Sequence, residues 1–175
     1  MEMKKDIHLS GKDLMGMVQL KPGDIAKFAI VPGPTDRLNA LLKKIKDPIR
    51  NFSFMEYMMY TGTLDGTMVT VGNGGRFSPD SAINAEILCN AGAENIIRIG
   101  SCGALDENIK IGDFVIVTDV FRGDGVSPYY VDANFSTVAN KEINDALVAA
   151  CEKLGASYHL GAVWTLNALL KETKV

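Results

Sequence analysis

Arg98 is the residue in this sequence whose position most directly suggests chemistry. It interrupts the apolar run Ile96-Ile97-Arg98-Ile99, just before Gly100-Ser101-Cys102-Gly103. A guanidinium buried in such a strand is costly unless an anion or a carboxylate partners it. Two interpretations follow: an internal ion pair with an acid such as Glu86, or an oxyanion ligand completed by the Ser101 hydroxyl and the loop amides. Arg98 alone leaves both open.

Gly33 and Arg37 form a second candidate element. Gly33 follows an apolar run and allows close approach of the backbone to a ligand, and Arg37 lies one turn into the helix predicted next. Amides at a helix start favour a negative group. The alternative is a tight turn followed by a solvated arginine. The glycines at 72–75 match neither the Walker pattern nor the GxGxxG pattern.

His8 and Cys102 are weaker candidates by themselves. His8 lies in a polar segment near the N-terminus, where a surface histidine is the simpler interpretation. A nucleophilic Cys102 would need a histidine partner, and His159 is distant in sequence and lies in no established Cys/His signature. Three scattered cysteines without CxxC spacing indicate reduced thiols and no zinc site.

The elements that must position these residues alternate along the chain. Apolar runs and turn residues predict strands over 25–31, 57–64, 68–71, 95–99, 113–120 and 157–164, and helices over 36–45, from Ser78 as N-cap to Gly92, and from the cap Asn140 through Leu154. This alternation predicts an α/β fold of three layers, with a central mixed, mostly parallel β-sheet flanked by helices. Ligands of such sheets gather beyond the carboxyl ends of strands, where the glycine clusters fall.

Composition excludes several classes of protein. The length of 175 residues fits one domain spanning 1–175. A net charge of −3 gives no general attraction to nucleic acid or to anionic membranes. The sequence has neither an apolar run of about 18–20 residues, as a membrane span needs, nor an apolar signal core. We therefore expect a cytoplasmic protein that binds neither nucleic acid nor membrane.

Taken in order, three motifs resemble those of the nucleoside phosphorylase family, of the uridine and hexameric purine types. Asp6-Ile7-His8-Leu9 is similar to the uridine phosphorylase N-terminus, and Ile30-Val31-Pro32-Gly33 with Arg37 resembles the VPGDPxR phosphate loop. The most specific similarity is that of Arg98-Ile99-Gly100-Ser101-Cys102-Gly103 to the R-[IV]-G-[ST]-[CT]-G signature. The resemblance runs through nearly the whole chain and implies a nucleoside phosphorylase-like fold.

The resemblance implies a pentosyltransferase that catalyses reversible phosphorolysis of a nucleoside to the free base and ribose 1-phosphate. It assigns phosphate binding to Gly33, Arg37, Arg98 and Ser101, with Arg98 catalytic, and assigns nucleoside binding to His8, Cys102 and Gly103. His8 would reach the neighbouring subunit's site, which implies a homo-oligomer built from dimers, with a hexamer as one form. Orthophosphate is the co-substrate and the nucleophile, so neither a cofactor, a metal nor a protein nucleophile is expected. The His8 segment favours uridine over purine nucleosides.

The chain departs from the family pattern at three places. Pro34 replaces the usual acid of the phosphate loop, and Met55 stands where an arginine is lent to the partner subunit. The chain also ends before the expected Met-Glu segment that holds the ribose hydroxyls. The early C-terminus motivates one alternative to uridine phosphorolysis, a shortened, non-catalytic nucleoside- or phosphate-binding oligomer. Two others are purine nucleoside phosphorolysis and hydrolysis by a protein of the same fold, although a phosphate pocket at Arg98 and Ser101 argues against hydrolysis.

Overall fold

The computed structural model describes residues 11–54 and 57–168. His8 and Met55 therefore lie outside the described residues. Contacts between Cα atoms divide the chain into two compact units, Met1–Ser101 and Cys102–Val175. None of the helices within 11–54 and 57–168 combines the length and apolarity needed to cross a bilayer.

The first unit is built on a five-stranded sheet in the order β2-β3-β4-β1-β5. Strand β1 runs parallel to both β4 and β5, whereas β2, β3 and β4 pair in antiparallel fashion. The elements in chain order are α1 Gly11–Met17, β1 Phe28–Pro32, α2 Thr35–Leu42, β2 Lys46–Phe54, β3 Tyr57–Leu64, β4 Thr67–Gly72, α3 Ser78–Ala91 and β5 Asn95–Ile99. The sheet is thus mixed, as predicted.

Two apolar cores cover opposite faces of this sheet. Alternate residues of β1 separate between them: Ala29 and Val31 pack with Ile87 and Leu88 of α3 in one core, whereas Ile30 contacts the other. The second core contains Leu38 of α2 together with Val69 and Val71 of β4, and the partly buried Leu14 and Met15 of α1 pack against the first. Because strand side chains alternate between faces, one strand contributes to both cores. Helices therefore flank both faces of the sheet.

The second unit contains a parallel pair of strands and one long helix. Its elements are β6 Phe114–Gly123, a 3₁₀ turn at Ser127–Tyr129, α4 Lys141–Leu154 and β7 Tyr158–Leu166, with β6 paired to β7. The Asn140 side chain accepts a hydrogen bond from the Ile143 amide at 3.0 Å, and Gly155 ends α4 in the left-handed conformation at φ 62°. Both ends of α4 are as predicted.

The pair Asp65-Gly66, between the strands predicted over 57–64 and 68–71, predicts a hairpin turn, and the structure confirms it. Asp65 and Gly66 both have positive φ, 47° and 82°, in the tight turn between β3 and β4. Such a pair is typical of a type I′ hairpin turn. Gly92 ends α3 at φ 113°, also as predicted.

Several boundaries and two elements differ from the predictions. Strand β2 was not predicted, because Pro48 and its charged neighbours are untypical of a strand. It accommodates a proline because it is an edge strand with a register shift. Helix α1 was also missed. Ser78 is the first helical residue of α3 and not its N-cap; Phe77 occupies the cap position without a side-chain hydrogen bond. Strands β6 and β7 form a sheet of their own, and the single domain over 1–175 stays a prediction.

Candidate active site

The pairing of β1 with β5 brings two of the predicted loops to the same edge of the sheet. Val31 lies opposite Arg98, and Pro32 lies opposite Ile99. Since the strands are parallel, the chain leaves both at their carboxyl ends, through Gly33 and Gly100 respectively. This edge is where ligands of open α/β sheets bind.

Arg37 and Ser101 are in direct contact across this edge. Nη2 of Arg37 donates a hydrogen bond to Oγ of Ser101 at 3.1 Å. Arg37 lies in the first turn of α2, where its amide also donates to Oδ1 of Asp36 at 3.0 Å. Pro34 occupies the N-cap position of α2 and supplies no side-chain cap; the Arg37 amide at the helix start is instead engaged by the Asp36 carboxylate.

Arg98 is held by the backbone of the loop that follows β4. Its Nε and Nη2 donate to the carbonyl oxygen of Gly75 at 2.8 and 2.5 Å. Gly74 and Gly75 have φ of 112° and 77°, a backbone conformation that residues other than glycine rarely adopt. The two glycines therefore shape the loop that presents the acceptor to Arg98.

The predicted alternative of an ion pair with Glu86 is wrong. Within the described part of the chain, no carboxylate lies within 4.0 Å of the Arg98 guanidinium. The Arg98 guanidinium donates to the neutral carbonyl group of Gly75, so within the described residues no anionic group neutralises its positive charge. Contrary to the burial predicted from the sequence, Arg98 lies at an exposed position of β5, so water solvates its charge, and a bound anion would replace that water as its partner.

The electrostatics of the site favour an anion. Burial lowers the pKa of Arg98 from its ordinary value, and the positive charge of Arg37 lowers it further. An arginine remains protonated despite such a shift, so two cationic groups stay close together. An oxyanion placed between them would relieve their repulsion and accept hydrogen bonds from both forks.

A buried asparagine, Asn73, connects the loop after β4 to the start of helix α2. Asn73, only 4% exposed, donates from Nδ2 to Oγ1 of Thr35 at 3.1 Å and accepts at Oδ1 from the Met58 amide at 2.6 Å. Its own carbonyl oxygen accepts from Nδ2 of Asn84 at 3.2 Å. Thr35 begins α2, so Asn73 ties the loop after β4 to the helix that carries Arg37.

The structure brings together the four residues predicted to bind phosphate, Gly33, Arg37, Arg98 and Ser101. Gly33 is buried, and its carbonyl oxygen accepts from the Gly74 amide at 3.4 Å. Sequence reasoning missed the supporting roles of Gly75 and Asn73; the glycine pair after β4 was the available signal.

The three residues predicted to bind nucleoside are not tested by this arrangement. Cys102 and Gly103 belong to the second unit, where both are exposed. His8 lies outside the described residues. Their roles stay predictions.

Comparison with known proteins establishes the family to which the chain belongs. The model of the phosphorylase superfamily matches residues 27–175, and the chain is a member of that family. The match includes all of β1 through β7 and all four residues of the candidate phosphate site.

Individual relatives are curated phosphorylases. The chain is 37% identical over 145 residues to the uridine phosphorylase of Thermococcus kodakarensis, covering 82% of this chain and 52% of that protein. It is 35% identical over 136 residues to the uridine phosphorylase of Escherichia coli, covering 78% and 54%. It is 29% identical over 154 residues to the guanosine phosphorylase of Halorubrum lacusprofundi, covering 88% and 64%. The chain thus spans about half the length of the uridine phosphorylases it matches.

Proposed function

We propose that this protein is a nucleoside phosphorylase, a pentosyltransferase that converts uridine and orthophosphate reversibly to uracil and ribose 1-phosphate. The observation that carries the proposal is the convergence of Arg37, Ser101 and Arg98 with no carboxylate partner for Arg98 in the described chain. Relatives named uridine phosphorylase, at 35–37% identity, support uridine as the substrate.

The proposed mechanism uses the protein to position reactants. Orthophosphate is the nucleophile: one of its oxygens forms a bond to the anomeric carbon as the bond to the base breaks, and the base leaves with the bonding electrons. Holding phosphate against the sugar converts a bimolecular step into an intramolecular one. Fixed cationic donors near the reacting centre add electrostatic stabilisation. Orthophosphate is the co-substrate, and the proposal includes neither cofactor nor metal.

Arg98 has the central role in this proposal. Because Nε and one N–H of Nη2 are held by Gly75, the orientation of the guanidinium plane is set before phosphate arrives. Its remaining donors and those of Arg37 would bind separate phosphate oxygens. The Ser101 hydroxyl, which accepts from Arg37, would turn its own hydrogen towards the anion.

Purine nucleosides are the second candidate substrates. The guanosine phosphorylase of Halorubrum lacusprofundi, which aligns with 88% of this chain, supports this alternative. The proposal keeps Cys102 and Gly103 as nucleoside-binding residues in either case, and His8 as a residue lent to a neighbouring subunit of a homo-oligomer built from dimers. The free thiols of Cys89, Cys102 and Cys151 are consistent with a reducing, cytoplasmic location.

One assay tests the proposed reaction. The protein is incubated with uridine or inosine, with and without orthophosphate, and free base and ribose 1-phosphate are measured by chromatography. The proposal expects base release that requires phosphate and an equal yield of ribose 1-phosphate. Base release without phosphate would indicate hydrolysis instead. Nucleoside binding without base release would indicate a non-catalytic binding protein.

A further inference from the structure

Arg76 lies where the two loops of the candidate site touch, although it belongs to neither recognised motif. It follows Gly75, whose carbonyl oxygen holds Arg98. A Cβ atom built on Gly33 would lie 3.5 Å from Cγ of Arg76 and 3.7 Å from its Cα. The side chain of Arg76 therefore starts beside Gly33, on the side where a larger residue at that position would carry its Cβ.

The guanidinium of Arg76 rests on an exposed aromatic ring. Its Cζ lies 5.2 Å from the centroid of the Phe77 ring, and Phe77 is 62% exposed. Among the ion pairs of the described residues, none includes Arg76. A cation–π contact at an exposed site is weak. An oxyanion, which accepts directed hydrogen bonds from a guanidinium fork, is a stronger partner.

We propose that Arg76 is a third phosphate-binding arginine, which leaves the Phe77 ring and closes on orthophosphate from the Gly33 side of the site. The inference rests on the proposed function, because it extends the site formed by Arg37 and Arg98. A long, flexible and solvated side chain at the rim adds charge without the cost of burying it in the free protein.

A rim arginine should act differently from the anchored Arg98. Arg98 is oriented before the ligand binds, whereas Arg76 must give up its contact with Phe77 and become ordered. Its contribution to affinity is therefore smaller, and because its side chain is solvated, salt screens its attraction for phosphate. Rim charges also raise association rates through long-range attraction.

The test is calorimetric titration of the full chain with orthophosphate at low and at high ionic strength. Arg76→Gln removes the charge and retains hydrogen-bonding ability, and we expect phosphate affinity to fall about three- to fivefold at low salt and less at high salt. Arg76→Lys should recover part of the loss. Phe77→Leu removes the aromatic ring that Arg76 contacts in the free protein, and this variant should bind phosphate at least as tightly as the parent protein.

Two controls separate the possible outcomes. Lys44→Ala removes an exposed positive charge elsewhere in the same unit and should leave affinity unchanged. Equal effects of Lys44→Ala and Arg76→Gln would overturn the inference in favour of a general charge effect. Normal binding by Arg76→Gln together with weak binding by Arg98→Ala would overturn the role of Arg76 and leave the proposed function standing. Failure of the parent protein to bind orthophosphate would overturn both.

Discussion

Arg98 and Gly75 are joined by two hydrogen bonds from the guanidinium to a single carbonyl oxygen, at 2.8 and 2.5 Å. The acceptor lies 23 residues earlier in the chain, in the loop after β4. This contact fixes the orientation of the Arg98 guanidinium at the candidate site without neutralising its positive charge. Four predictions follow from the arrangement around Arg98 and from one carboxylate in the second unit.

Replacing Arg98 should impair phosphate binding much more than folding. Arg98→Ala removes a charged donor set, and we expect affinity for orthophosphate to fall roughly 10- to 100-fold. Arg98→Lys should also bind weakly, because an ammonium group lacks the planar fork. Titration calorimetry measures the affinity, and thermal unfolding without phosphate measures stability. Unchanged phosphate affinity in Arg98→Ala would remove Arg98 from the site.

Gly100 should be required for the position of the Arg98 guanidinium. A Cβ atom built at Gly100 collides with Nη1 of Arg98. Gly100→Ala should therefore displace the guanidinium and weaken phosphate binding roughly tenfold. Gly16→Ala is a matched control, since a Cβ there meets nothing within 4 Å and alanine favours helix α1. If Gly100→Ala binds phosphate normally, the close contact has no functional consequence.

Loss of the Asn73 side chain should affect both stability and the site. Asn73→Ala leaves the partly buried Met58 amide and the Thr35 hydroxyl without their observed partner. The expected cost in the free energy of unfolding is about 1–3 kcal/mol, measured by urea denaturation. Phosphate affinity should fall too, because Thr35 begins the helix that carries Arg37. Asn90→Ala, at an exposed helical position, should do neither; a similar loss in both variants would contradict the connecting role of Asn73.

Asp113 should make the stability of the second unit fall in acid. The Lys110 amide, the Ser157 side chain and His159 lower the pKa of this carboxyl; the Lys110 amide and His159 Nε2 lie 2.8 and 3.0 Å from its Oδ2. Because the pKa is lower in the folded than in the unfolded protein, the carboxylate contributes stability above the ordinary aspartate pKa. That contribution is lost as the pH falls from about 5 through the lowered pKa.

Unfolding of Asp113→Asn tests this pH dependence. We expect the variant to be less stable than the parent protein near neutral pH, with the difference shrinking as the pH falls below about 5. Glu107→Gln, at an exposed position in the same unit, controls for the loss of one carboxylate. A stability difference that is constant across this pH range would show that ionisation of Asp113 makes no contribution.

The sequence by itself determined the features that depend on neighbouring residues. Asp65-Gly66 predicts a tight turn because few other pairs adopt positive φ twice in succession. Asn140 and Gly155 mark the ends of α4 because one accepts from an early helix amide and the other adopts the left-handed conformation. The run from Arg98 to Gly103 is similarly local, and with the Gly33 and Arg37 motif it indicated the family.

Only the tertiary structure decided which distant groups meet. Arg37 and Ser101 are 64 residues apart, and their contact depends on the parallel register of β1 and β5. That Arg98 contacts the Gly75 carbonyl oxygen and forms no ion pair with Glu86 depended on where the sheet placed the loop after β4. Local backbone preferences act over a few residues, whereas these contacts depend on how the sheet pairs and how both its faces pack.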